Sequence, residues 1–198
     1  AHFGGIWKFE RDGLSLRFKD SYVRILGQDW SIDPENRVYI QGQSLKAEHV
    51  LISNQKQSIA LQGSISTDST EAIKLRVRKF QLGTLGPLFA TKAQGVMNAE
   101  ISLQNWYQNT RLDSWLSIDS LRLNKFYMGN FQGVGTYQAD QQLMDLNYHL
   151  NRLGESVLSM SGTYKPFVAD NKLDVQVELN KTNLQILEPF TTGLFSGL

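Results

Sequence analysis

An all-β fold is what this sequence predicts, and three observations carry the prediction. Apolar residues recur at every second position in run after run, turn-forming clusters separate the runs, and helical periodicity of useful length is almost missing. The composition agrees. Of 198 residues, 41% are apolar and 20% charged, both on the low side for a globular chain, and Gln, Asn, Ser and Thr make up the difference. Uncharged polar residues suit strands with one wet face better than helices, whose exposed sides usually carry Lys and Glu.

Taken in order, the first clear strand is Leu14-Ser-Leu16-Arg-Phe18, entered through the turn signal Asp12-Gly13. Asp33-Pro34-Glu35-Asn36 marks the next sharp turn and Asn54 another. Ile59, Leu61 and Gly63 begin a further run, Asp68-Ser69 breaks it, and Ile73-Lys-Leu75-Arg-Val77 alternates without fault. Leu82, Leu85, Leu88 and Phe89 show helical spacing for a turn or two with Pro87 inside, and are expected to form a short helical or extended link packing on the end of the sheet. Met97-Asn-Ala99-Glu-Ile101-Ser-Leu103, Met144-Asp-Leu146-Asn-Tyr148-His-Leu150 and Leu173 to Leu179 restore the alternation, the last after the turn Asp170-Asn171. Leu184, Leu187 and Phe190 with Pro189 read as a second short link. About a dozen strand-like runs result, with one greasy and one wet face each. No linker, charge block or low-complexity tract divides them, so residues 1–198 are expected to form a single all-β segment.

Part of the script is written twice. Ile59, Leu61 and Gly63 correspond to Leu158, Met160 and Gly162 at an offset of 99 residues. From the alternating strand onward, Ile73, Leu75, Val77, Leu82, Leu85, Pro87 and Gly95 correspond to Val175, Val177, Leu179, Leu184, Leu187, Pro189 and Gly197 at an offset of 102. Units near 59–95 and 158–197 therefore read as stacked copies of one building block, and the second copy as cut short, which suggests a segment of a longer array.

Several function classes lose support at this level. The net charge is +1, and no basic stripe interleaves with exposed aromatics, so nucleic acid is not an expected partner. The most basic spot, Lys74, Arg76, Arg78 and Lys79, reads as a solvated strand face. With no cysteine there is no disulfide frame, thiol chemistry or cysteine zinc site. His2, His49 and His149 lie far apart without a second ligand at metal spacing, and His149 falls on the polar side of its strand. Gly129, Gly133 and Gly135 sit between strands with no helix opening after them, so bulges or close strand contacts explain them better than a phosphate loop. Asp113, Asp119 and Asp145 make no distinctive pair for glycoside hydrolysis. Trp7, Trp30, Trp106 and Trp115 are expected to anchor strand ends in the core rather than to stack on sugars. Nothing points to catalysis, and no cofactor is expected.

The order and spacing of the pieces resemble a known family. Gly27-Gln-Asp-Trp30-Ser-Ile32-Asp33, Leu51-Ile-Ser-Asn54 and Ser58-Ile-Ala-Leu61-Gln-Gly63-Ser-Ile65-Ser66 are similar to the C-terminal half of TamB proteins, the translocation and assembly module subunit, of the Bacteroidetes type. So are Phe80-Gln-Leu82-Gly-Thr-Leu85-Gly-Pro87-Leu88, Leu116-Ser-Ile118-Asp-Ser-Leu121-Arg-Leu123-Asn124 and the run Leu184 to Ser196. The likeness extends from about Gly13 to the end; the opening Ala1-His-Phe-Gly-Gly falls outside it. TamB belongs to the AsmA-like group of bridge-like lipid transfer proteins. The resemblance implies a curved sheet folded lengthwise into an elongated apolar trough, often called a β-taco, with one or two short helical turns. It implies a periplasmic location within a parent anchored in the inner membrane. The implied partners are phospholipid or another acyl-chain ligand and, through the parent, an outer-membrane barrel of the TamA or BamA kind. The implied work is lipid transport and outer-membrane biogenesis, with no catalytic residue.

In a trough the greasy faces line a channel. Each CH₂ kept out of water is worth about 0.8 kcal/mol, so a chain of fourteen to sixteen carbons costs on the order of 11 to 13 kcal/mol to carry across. The residues expected to line the groove are Leu75, Val77, Ile101, Leu103, Leu146, Tyr148, Val175, Val177 and Leu179. The rival reading is a β-sandwich that binds carbohydrate or serves as a surface module, with its greasy faces pressed together.

Overall fold

A computed structural model of the chain describes residues 2–88, 92–124, 126–168 and 172–180. Within them the chain is almost entirely strand: β1 (His2–Glu10), β2 (Gly13–Ile25), β3 (Gln28–Ile32), β4 (Arg37–Gln41), β5 (Ser44–Asn54), β6 (Gln57–Ile65), β7 (Ala72–Gln81), β8 (Ala93–Gln104), β9 (Arg111–Leu123), β10 (Phe126–Gln138), β11 (Leu143–Arg152), β12 (Glu155–Tyr164) and β13 (Leu173–Leu179). All belong to one sheet, and every pairing is antiparallel. The order follows the sequence from β1 to β13, with β3 and β4 both lying between β2 and β5. Among the described residues no pairing joins β1 to β13, so the sheet is open and curved rather than closed into a barrel. The expected all-β trough class holds, and a two-sheet sandwich does not fit this single continuous ladder.

The β3–β4 column shows how the sequence builds it. Tyr22 to Ile25 of β2 pair with β3, while Leu14 to Leu16 pair with β4, and β5 divides its partners in the same way. The turn residues Asp33 to Asn36 leave the sheet between them. Asn36 is buried there: its Oδ1 accepts from Phe18 N at 2.9 Å, and its Nδ2 donates to Phe18 O at 2.8 Å and to Asp33 O. One side-chain amide thus replaces the missing rung of the ladder.

Between β7 and β8 the chain forms a 3-10 helix, Leu82–Leu88. Gly83, Gly86 and Pro87 disfavour a longer α-helix, and the three-residue period eclipses Leu82 and Leu85 on one side. Leu82 is buried with Leu121, Met128, Leu150 and Val157, and Leu85 packs against the same group. The expected link on the end of the sheet is therefore in place; its counterpart at Leu184, Leu187 and Phe190 lies outside the described residues.

The hairpins at the start of the two repeated stretches pair in the same register. Gly63 pairs with Ile73, Leu61 with Leu75 and Ile59 with Val77; Gly162 pairs with Val175, Met160 with Val177 and Leu158 with Leu179. Gly63 (φ +111) and Gly162 (φ +154) both lie where L-residues are strained. At each, a Cβ would collide with a carbonyl oxygen of the next strand, that of Ala72 or Asp174.

Candidate functional site

Residues directly opposite in an antiparallel pair share a face, so the register traces each face across the whole sheet. One rung reads Val50, Leu61, Leu75, Ile101, Ser114, Gly135, Leu146, Gly162, Val175 from β5 to β13. The next reads Ile52, Ile59, Val77, Ala99, Leu116, Gly133, Tyr148, Met160, Val177. On one side of these two lies the rung holding Ile73 and Leu103, and on the other the rung holding Phe80, Phe131, Leu150, Leu158 and Leu179. All nine expected lining residues therefore fall on one face, in four consecutive rungs.

That face is apolar and partly open. Eight of the nine are half-buried, and Val177 on the edge strand is 49% exposed. Four rungs cover about 20 Å along the strands, and the eleven spacings from β1 to β13 cover about 53 Å of arc. The face is concave near β3 to β7. Trp30 and Phe80 stand three strand spacings apart, about 14 Å on a flat sheet, yet their rings stack at 5.9 Å. The buried group around the 3-10 helix closes the end of the same face.

Its polar interruptions are neutralised locally. Ser114 Oγ donates to Gly135 O at 2.9 Å, so that hydroxyl is engaged within the sheet. Gly133 makes room for the Tyr148 ring, which lies over it and stacks on Phe131 with centroids 5.4 Å apart. Sequence reasoning passed over Phe131, Leu61, Leu116 and Met160. Met160 was marked by its equivalence with Leu61 in the repeat, and Leu116 by alternation, whereas Phe131 sits among bulges that hide the period.

The opposite face carries the charges. Arg76 Nε bonds Glu100 Oε2 at 2.8 Å and Arg111 Nε bonds Asp113 Oδ2 at 2.9 Å. Hydrogen bonding from these arginines holds both carboxyls below their ordinary range. The basic run thus lies on a solvated face as expected. His149 is on that face too, opposite Ser159, though half-buried.

The tryptophans need a correction. Trp30 alone is buried; Trp7, Trp106 and Trp115 are exposed. Trp115 occupies the polar parity of β9, opposite Glu100 and Val134, so the pleat turns it away from the apolar face. Trp106 lies in the loop after β8, and Trp7 is on the open edge strand.

No family model, curated protein or solved structure matches the chain. The apolar face, read through its register, is therefore the chief guide to function.

Proposed function

We propose that this chain is a non-enzymatic segment of a TamB-like periplasmic bridge. Its apolar face would conduct phospholipid between membranes and support outer-membrane protein assembly through a barrel partner of the parent protein. The observation that supports this most is the continuity of that face: two apolar rungs with largely half-buried side chains cross the sheet from β5 to β13, a further apolar rung flanks them on each side, and no hydrogen-bonding feature is fixed for one ligand. Apolar contact is non-directional, so it removes most of the cost of wetting an acyl chain without gripping any one position.

Organic extraction of the purified chain followed by mass spectrometry tests the reading. Co-extracted phospholipid is the expected result. In Val177→Arg, a charge placed on the exposed end of the lining should lower lipid per protein several-fold with an unchanged melting curve. Full lipid occupancy in that variant, or no lipid in the parent chain, sinks the conduit.

One observation favours the second reading, carbohydrate binding. A polar cavity of about 320 Å³ is lined by Asn105, Asn109, Thr110, Arg111, Gln138 and Asp140 among others, and the same loop exposes Trp106 and Tyr107. Saturable quenching of tryptophan fluorescence by an oligosaccharide from a protein free of lipid would decide for it.

A further inference from the structure

On the polar face beside the open β1 edge, Ile6, Lys8, Ser15, Arg17, Arg37 and Tyr39 surround a cavity of about 180 Å³. The register explains why three cations meet there. Lys8 lies across from Ser15, which lies across from Tyr39, and Ile6 lies across from Arg17. Arg17 and Arg37 both adjoin the Leu16–Val38 pair, so they face each other on neighbouring strands. Facing positions have Cβ atoms about 5 Å apart, and like charges so placed destabilise a sheet.

Nothing nearby cancels the excess fully. Among the described side chains, no carboxylate lies within ion-pair distance of Lys8, Arg17 or Arg37. Glu48, across from Arg37, is held by Lys46 at 2.7 Å, and Glu35 acts on Arg37 only as a more distant charge. Arg17 gives its Nε to Pro34 O at 2.7 Å, which fixes the guanidinium and leaves its outer nitrogens available. Arg37 Nη1 reaches the Tyr39 hydroxyl at 3.4 Å. Two forked guanidiniums, one ammonium and two hydroxyls form a donor set for a compact anion with three or four oxygens.

We propose that this cavity binds a phosphoryl anion. The same chemistry is offered by a lipid head group and by free phosphate. The lipid source rests on the conduit reading and has its own support: β1 is a lip of the sheet, and on the opposite side of that strand Trp7 and Phe9 are 58% and 84% exposed. Tails could lie against those rings while the phosphate turned over the edge to the cations.

Calorimetric titration of the full chain with inorganic phosphate should give saturable binding. Lys8→Gln and Arg37→Gln should each weaken it about tenfold or more, while Lys74→Gln, a cation on β7, should leave it unchanged. Arg17 is spared because it also ties down the Pro34 loop. Flotation with phosphatidylglycerol vesicles against phosphatidylcholine vesicles separates the sources. Phosphate binding with selective flotation supports a head-group site, and phosphate binding alone supports a free-anion site. No phosphate binding, or equal binding by both cavity variants at unchanged melting temperature, overturns the proposal. Lipid that still co-extracts in that event leaves the conduit standing.

Discussion

Between Ile32 and Arg37 the chain steps out of the sheet, and Asn36 fills the gap by offering an amide where a strand would offer a peptide group. Its carbonyl serves Phe18 N and its amino group serves Phe18 O, both away from solvent. An isosteric Asn36→Asp change keeps the acceptor but turns the donor into a second acceptor facing two carbonyl oxygens. Leaving a buried polar group unmatched costs about 1–3 kcal/mol, and the charge adds to it. Urea denaturation should therefore show a loss on the order of 3 kcal/mol; a loss below 0.5 kcal/mol, ordinary for a surface change, would mean that the amide does not hold this column. The same substitution on the polar face, at the exposed Asn147 for example, should fall within that surface range.

At the scale of elements, the repeated hairpins β6–β7 and β12–β13 make a matched experiment. Gly63 and Gly162 occupy the same place in the two copies, with positive φ and the carbonyl of Ala72 or Asp174 against the missing Cβ. Gly63→Ala and Gly162→Ala should each destabilise by about 2 kcal/mol or more, because backbone has to move in either case. Gly162→Ala should cost less, since among the described residues its partner β13 has no strand on its far side whereas β7 is held by β8. Equal costs in urea unfolding, or a larger one at Gly162, would contradict that ordering. This pair was legible in the sequence, as were most strands, since alternation survives wherever a strand is regular. Bulges were not legible. Lys79 (φ +52) and Ser120 (φ +54) each insert an extra residue and have their N–H capped by Asn98 or Asn130, yet neither is a residue that advertises a left-handed backbone. Hairpins turning at Leu26-Gly27 and Leu153-Gly154, with both φ values positive, were missed for the same reason, because leucine stands where asparagine is usual. The apolar face was legible in outline, but its extent was not: only pairing register aligns Phe131 with Leu150 across those bulges.

The molecule as a whole is nearly one-dimensional. Among the described residues each strand hydrogen-bonds only to its neighbours in the sheet; the contacts that reach further are the Trp30–Phe80 stack and the buried group at one end of the apolar face, under the 3-10 helix. Stability in such an array is close to a sum of nearest-neighbour terms, so it should not be uniform. Strands β8 to β11 have a partner on both sides and contribute Met97, Leu121, Met128 and Leu150 to that packed end. Among the described residues β1 and β13 have one partner each, and they expose Trp7, Phe9, Leu173 and Val177. Hydrogen exchange followed by mass spectrometry should therefore give the slowest amides in β8 to β11 and the fastest in β1 and β13, with opening free energies graded between. Lipid on the apolar face should slow exchange most in the strands that carry the rungs of Leu75 and Val77, because these are the half-buried ones it would cover. Uniform exchange through all thirteen strands would mean a cooperative core that spans the sheet, and would leave no loosely covered face for an acyl chain to enter.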